Sequence, residues 1–343
     1  MTQTFYLDKE IKVYLENDAG DYFRIEVTAA PEFSQAASSE SVSVNTMPQS
    51  NATNSSTGLA YSSVSSKIFK TEFEPASWSF TTHVRPFNNS GNKQAAESIL
   101  WEFFTGSFES VAANDTNNNF SLLETYPTFT LHFIYPDNRG YKISGCVISR
   151  ADISVDISST ATISWSGSGI KLEDVSSFTS NPTIENSSAL TGANYITNKL
   201  STLTSTNSGS AFNFPIISMS VSMSVTHQPI TSPILAELTY PIGFSRKNIE
   251  VTGNFSAYIV QQVAGTKVTS ASFRTSNDPI YDVSLNIGGT TTNKNIVVVL
   301  PKVFVQAPSY SSADALTFSC DFIATGPTTL GGLTTPIAQI KYT

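Results

Sequence analysis

The chain has 343 residues, a formal net charge of −8 and only 13% charged residues. That length suffices for two domains, each with its own core. The acidic balance, with no Lys/Arg cluster, argues against a surface that grips nucleic acid by neutralising phosphates. Abundant Ser, Thr, Val, Ile, Phe and Tyr predict a mainly β fold.

Cys146 and Cys320 are the only cysteines and suggest buried free thiols rather than a disulfide framework. The first residues, MTQTFYLDKEIKVYLEND, lack the basic and apolar regions of a signal peptide. No apolar run approaches the roughly 20 residues of a membrane span. Folding in a cytoplasm without membrane contact is therefore expected. Asn-x-Ser/Thr triplets at Asn51, Asn54, Asn88, Asn119 and Asn186 carry little weight in a chain so rich in these residues.

In chain order, Ile11–Leu15 and Tyr22–Thr28 read as a hairpin turned at Asn17–Gly20. Residues Ser34–Ser66 are Ser/Asn/Thr-rich and read as a long loop, flexible or extended along a neighbour. Lys67–Phe87 reads as two strands broken at Pro75. A helix is predicted over Lys93–Phe104, with Ala95, Ala96, Ile99, Leu100 and Phe103 on one face, Asn92 as cap and Gly106 past the end. Val111–Asn119 reads as a loop, and Phe129–Gly169 as four strands.

The clearest pattern lies in ADISVDISSTATISWSG. Ile153, Val155 and Ile157 alternate with Asp152, Ser154 and Asp156; after a reversal at Ser158–Thr160, Ala161, Ile163 and Trp165 alternate with Thr162, Ser164 and Ser166. This is a hairpin with one dry and one wet face. LTFSCDFIATG repeats the device, Leu316, Phe318, Cys320 and Phe322 opposing Thr317, Ser319 and Asp321. Val175–Thr191 reads as a connection, Asn194–Leu203 and Ile217–Thr226 as strands, and Pro229, Pro233 and Pro241 as loop markers. The second half follows the plan of the first. Lys247–Val260 stands for Ser77–Pro86, Tyr281–Ile287 for Phe129–Tyr135, Asn295–Val305 for Tyr141–Val155 and Leu316–Gly326 for Ala161–Gly169. The helix has no strong counterpart after Gln262. A duplicated module is the expectation, divided into residues 1–180 and 181–343.

No catalytic constellation emerges. His83, His132 and His227 stand apart without metal-ligand spacing, no G-x-S-x-G elbow occurs, and Gly288–Gly289 and Gly331–Gly332 sit in hairpin or terminal contexts. Asp152 and Asp156 share a strand face as an acid and base might, but a solvated polar face is by far the stronger reading of them. Catalytic, cofactor and metal residues are accordingly expected to be none.

Several ordered stretches remain: YLDKEIKVYLEND, PEFSQAASSESVSVN, FEPASWSFTTHVRPF followed by AAESILWEFF, ADISVDISSTATISWSGSG, ANYITNKLSTLT and FSRKNIEVTGNFSAYI. Together they resemble the tail tube proteins of tailed bacteriophages, most closely those of contractile-tailed myoviruses; Asn207–Gly243 departs from the pattern. The resemblance implies β-sandwich or partial-barrel modules, here two in tandem, with one flanking helix. Their strands would join those of neighbours into a closed β-barrel ring, and rings would stack into a channel for genome ejection.

It also implies a virion protein of the tail, assembled in the host cytoplasm, with no enzymatic activity and no cofactor. Its partners would be further copies of itself, three per ring if duplicated and six otherwise, a tail sheath if the tail contracts, and baseplate and tail terminator proteins. Tape measure protein and DNA would occupy the lumen without specific binding. Lumen-lining candidates are Asp152, Ser154, Asp156, Thr162, Ser164, Glu250, Thr252, Asn254, Thr317, Ser319 and Asp321. Ser34, Gln35, Ser43, Asn45 and Asn54 are candidates for contacts between subunits or rings. An adhesive or carbohydrate-binding sandwich is the alternative; it would need exposed aromatics, whereas Trp78, Trp101 and Trp165 fall on apolar faces. A β-rich hydrolase is the third reading, disfavoured by the missing chemistry.

Overall fold

The computed structural model describes residues 10–45, 64–89, 92–106, 109–111, 115–120, 127–179, 182–192, 195–196, 198–207, 210–231, 240–259, 273, 280–288, 295–312, 315–325 and 336–342. The fold is mainly antiparallel β. The first half contains β1 (Lys12–Glu16), β2 (Tyr22–Ile25), β3 (Glu32–Ser34), β4 (Ala37–Asn45), β5 (Val64–Phe73), β6 (Ala76–His83), β7 (Pro86–Asn89) and β8 (Asn92–Ala95). Helix α1 (Ser98–Thr105) follows, then β9 (Glu109–Val111), β10 (Asp115–Phe120), β11 (Phe129–Ile134), β12 (Gly140–Asp156), β13 (Thr162–Gly169) and β14 (Lys171–Val175). A short helix, α2 (Ser187–Gly192), leads to β15 (Thr202–Asn207), β16 (Ser210–Phe214), β17 (Ile216–Thr231) and β18 (Pro241–Tyr258). The chain ends with β19 (Ile280–Ile287), β20 (Ile296–Val305), β21 (Ser309–Ser312), β22 (Leu316–Ala324) and β23 (Ala338–Tyr342).

In the first half one row of strands runs β2–β1–β11–β12–β14 and another runs β3–β6–β13–β12. β12 serves both because it is 17 residues long. Its Gly140–Cys146 part pairs with β11, and Val147–Ser154 pairs with β13. The change of row falls at Gly145, whose φ of 59° suits glycine, and at a bulge between Ile148 and Arg150. In the second half the rows run β16–β15–β19–β20–β23 and β17–β18–β22, with β20 and β21 both on the far edge of β22. Even an irregularity recurs: β11 shifts register on β12 between Phe129 and Leu131, and β19 shifts on β20 between Tyr281 and Val283. The pairing order is the same in both halves.

The halves meet along β12 and β17, from Arg150 opposite Ser224 to Asp156 opposite Ser218. One sheet therefore continues through β3–β6–β13–β12–β17–β18–β22–β21. At the other side β23 pairs with β10, tying the last strand to the first half. No closed barrel forms within one chain among the described residues. None of their helices is long and apolar enough to cross a membrane.

One continuous core lies beneath this sheet, with an aromatic group in each half. Helix α1 puts Trp101 edge-on to Trp165 at 4.7 Å and Phe103 beside Phe129 at 4.8 Å. The Trp165 indole is satisfied by donating to Thr82 Oγ1 at 2.9 Å. In the second half Phe273 is helical and buried among Phe214, Phe255, Tyr281 and Phe318.

Several expectations are corrected. Helix α1 starts at Ser98 instead of Lys93, because Asn92–Ala95 forms a ladder with Pro86–Asn89. A first helical turn there would instead leave N–H groups without partners. Its N-cap is Glu97, not Asn92, while Gly106 does close it, at φ 80°. The stretch Ser34–Ser66 is not a loop throughout: β4 and β5 pair from Ala37 opposite Phe73 to Asn45 opposite Val64. Val111–Asn119 belongs largely to β9 and β10, whose pairing depends on the distant β23 rather than on apolar alternation. Phe129–Gly169 holds three strands, since β12 runs unbroken where two were expected. Asn198–Leu200 is a single 3₁₀ turn, with a strand only from Thr202. Pro229 lies inside β17, opposite Phe244. Ile157 is 40% exposed because β12 stops at Asp156. Asn51, Asn54, Gly289 and Gly331–Gly332 lie outside the described residues.

A buried polar knot also joins the halves. Glu97 Oε1 accepts from the hydroxyl of Tyr342 on β23 at 3.2 Å and from the Arg85 backbone N–H at 3.4 Å. Arg85 pairs with Glu26 and donates to the Leu190 carbonyl at 2.8 Å. Burial raises the Glu97 pKa to about 7, opposed by its hydrogen bonds and by Arg85. A raised acid pKa favours folding while Glu97 stays protonated, so stability falls as pH rises from about 4.5 to about 7. At about 1.4 kcal/mol per pKa unit the loss is roughly 3 kcal/mol. Glu97→Gln should flatten that fall, giving a higher melting temperature than the parent at pH 8 and a similar one at pH 5 in thermal denaturation.

Candidate functional site

The continuous sheet has one apolar face toward the core and one polar face away from it, as period-two alternation dictates. Register aligns the polar residues in rows across the strands. One row runs His83, Thr162, Ser154, Ser220, Asn254, Asp321; the next runs Thr81, Ser164, Asp152, Ser222, Thr252, Ile323. A third runs Glu32, Ser79, Ser166, Arg150, Ser224, Glu250. Toward the other strand ends lie Asp156, Ser218, Ser256, Ser319 and Ser309. Hydroxyls bond across strands, Thr81 to Ser164 at 3.1 Å, Ser34 to Ser77 at 2.9 Å and Ser309 to Ser319 at 2.8 Å. The result is a wall of hydroxyls with scattered carboxylates.

All eleven lumen-lining candidates lie on this one face. The expected set omitted Ser218, Ser220, Ser222 and Ser224 of β17, which sit at the centre of the wall. Their strict alternation with Met219, Val221, Met223 and Val225 is visible in the sequence and was the available signal. Arg150 was missed as well. It is the one cation on the polar face shared by β6, β13, β12, β17, β18 and β22 among the described residues, and its Nε donates to Asp152 at 2.8 Å. Asp156 acts locally, accepting from the Ser158 N–H at 2.8 Å and from the Ser158 hydroxyl; these bonds hold its pKa down and shape the turn after β12.

The proposed contact residues separate. Ser34 lies on edge strand β3, and Ser43 and Asn45 lie on β4. Gln35 is committed internally, its Nε2 donating to the Glu74 and Ile170 carbonyls at 2.9 and 3.0 Å and its Oε1 accepting from Leu172 N–H at 2.9 Å. Asn54 is outside the described residues.

Two hydroxyls approach imidazoles at the wall, Thr160 Oγ1 at 3.4 Å from His83 Nδ1 and Ser149 Oγ at 3.3 Å from His227 Nδ1, but burial lowers the His227 pKa to about 4, which makes it a weak base. No group of three metal-ligating side chains occurs among the described residues. Burial pushes the Cys320 thiol up to about 12 and raises Cys146 further, so both are unreactive. His132 is buried against Glu16 at 2.7 Å, and burial lowers its pKa. A cleft of about 660 Å³ beside β1 and β2 is lined by Lys12, Arg24, Glu26, His83, Arg85 and Tyr195, but Arg85 is spent on Glu26, Leu190 and the Tyr195 ring. The three tryptophans are buried, so they offer no sugar-stacking platform.

No family model matches the chain. Among curated proteins it is similar to tail tube protein pb6 of Escherichia phage T5, with 24% identity over 283 residues, 76% of this chain and 61% of the relative. The chain thus spans about three fifths of that relative's length. This supports the resemblance to phage tail tube proteins seen in the sequence.

The wall also depends on two close backbone approaches. Trp78 on β6 faces Gly167 on β13, whereas Gly253 on β18 faces Phe322 on β22, so the large and small partners are exchanged between halves. A Cβ on Gly253 would stand 2.2 Å from the Ser220 carbonyl oxygen and 2.3 Å from the Phe322 ring. The oxygen belongs to the backbone and cannot rotate away. Gly253→Ala should therefore destabilise the fold by roughly 1–3 kcal/mol, as other overpacked cores do, read as a lowered urea midpoint.

Proposed function

We propose that the chain is a structural subunit of a phage tail tube, that its copies close into stacked rings, and that the polar wall faces the lumen through which DNA leaves the virion. The observation that carries the reading is the placement of every lumen candidate on one face of one unbroken sheet. The similarity to a tail tube protein gives that face a use. Carboxylates of Glu32, Glu250 and Asp321 repel phosphate over about 8 Å at physiological salt, while Asp152 cancels the charge of Arg150. The intervening serines and threonines offer only neutral contacts. Such a surface lets a polyanion pass without holding it.

The two halves are, in this reading, tandem tube modules divided near residue 180. The repeated pairing order and the repeated register shift support this. Three chains would then supply six modules to a ring. The β4–β5 hairpin, which prolongs β3 and β6, and the distal part of β17–β18 reach beyond the wall and would meet adjacent rings or tail components.

Concentrated protein examined by electron microscopy should form hollow tubes with three chains per ring and six similar but unequal densities. Six chains per ring would defeat the tandem reading. Glu250→Lys together with Asp321→Lys should leave tubes intact while slowing DNA ejection several-fold in phage carrying the change, measured by dye-reported genome release. Unchanged kinetics would remove these residues from the lumen.

A further inference from the structure

The continuous sheet ends at two free edges, β3 on one side and β21 on the other. Each has one partner among the described strands, β6 for β3 and β22 for β21. We infer that β21 of one chain pairs antiparallel with β3 of the next, setting Ser309 opposite Ser34, Tyr310 opposite Phe33 and Ser311 opposite Glu32. The inference rests on the tandem-module reading above and adds to it the edges and the register.

The register follows from the junction inside the chain. There the outer edge of β12 pairs with β17, Asp152 opposite Ser222, Ile153 opposite Val221 and Ser154 opposite Ser220. β21 occupies the place of β12 in the second half, because Ser309 and Tyr310 face Ser319 and Phe318 on β22 as Asp152 and Ile153 face Ser164 and Ile163 on β13. β3 occupies the place of β17, because Glu32 and Ser34 face Ser79 and Ser77 on β6 as Ser220 and Ser222 face Asn254 and Thr252 on β18. Carrying the internal junction over to the free edges yields the stated pairs.

Three independent features agree with it. Tyr310 and Leu316 lie at positions in phase with buried Phe318, yet are 48% and 50% exposed. Their counterparts in the first half, Ile153 and Ala161, are 1% exposed. Phe33, which would lie against Tyr310, is half-buried and stacks on Phe133 at 4.3 Å, presenting a fixed apolar surface. Finally, the register sets Pro31 opposite Ser312 and Pro308 opposite Gln35. Proline cannot donate to a ladder, so each falls where the pairing stops and not within it. Short edges flanked by proline also limit pairing in wrong registers.

Cysteines placed as Ser34→Cys and Ser309→Cys in one full-length chain test the pair, since native Cys146 and Cys320 are buried and do not compete. Mild oxidation of assembled protein should give covalent oligomers ending at three chains on non-reducing gels, reversed by reductant. Ser34→Cys with Ser311→Cys, displaced along the strand and beyond disulfide reach, should stay monomeric on the same gels. As a second readout, Phe33→Glu and Tyr310→Lys should each abolish tubes and together restore them. Tubes without the Ser34–Ser309 bond, or with the displaced pair bonding instead, would overturn the edge assignment while leaving the tube reading in place. Failure of the parent chain to assemble at all would overturn both.

Discussion

A β-strand hydrogen-bonds on two edges, and the molecule depends on how β12 uses its own. One stretch of this strand completes the row beneath it, while the next completes the polar wall and then offers its remaining edge to β17. Without that last ladder the two halves would still be joined by the β10–β23 ladder and the Glu97–Tyr342 contact, but each half would expose a long edge prone to unwanted pairing. With it, backbone groups of both halves are satisfied in one sheet, and the polar rows run across the junction without a seam. The buried contact of Glu97 with Tyr342 and the β10–β23 ladder brace the opposite side.

The wall's chemistry is a consequence of that continuity. Threonine suits β backbone as β-branched apolar residues do, and the hydroxyls of serine and threonine bond to one another across strands. Such a surface needs no water-ordering aromatic, and among the described residues its shared face offers no fixed cation beyond Arg150, which Asp152 already neutralises in place. A polyanion meets repulsion from above and no counter-charge to lodge on. In the proposed role, function resides in what the surface fails to bind, and such a role requires no catalytic cluster.

Period-two alternation is written in the sequence wherever one face of a strand is wet, so Asp152–Asp156, Thr162–Ser166 and Leu316–Asp321 could be read directly. The matching of the two halves was legible for the same reason. What local sequence could not supply was pairing imposed from far away: β10 is paired from Thr116 to Phe120 with β23, more than 200 residues later, and β8 displaced the first turn of α1 because β7 was available to pair. The serines of β17 were legible but went unused, since nothing in that segment alone says it lies between β12 and β18. Gln35 looked like a loop residue because its three bonds reach Glu74, Ile170 and Leu172 across the fold.

That glutamine has a mechanical consequence. It stands at the root of the β4–β5 hairpin, where β3 passes into β4 and β5 into β6, and its amide clamps the root to the first residues of β14 and the one before it. A hairpin held only by its own ladder would swing at that root. Clamped there, it cannot pivot at that root without breaking the hydrogen bonds to Ile170 and Leu172. A push on the hairpin is then delivered to β14 and on to β12, instead of being lost in a hinge.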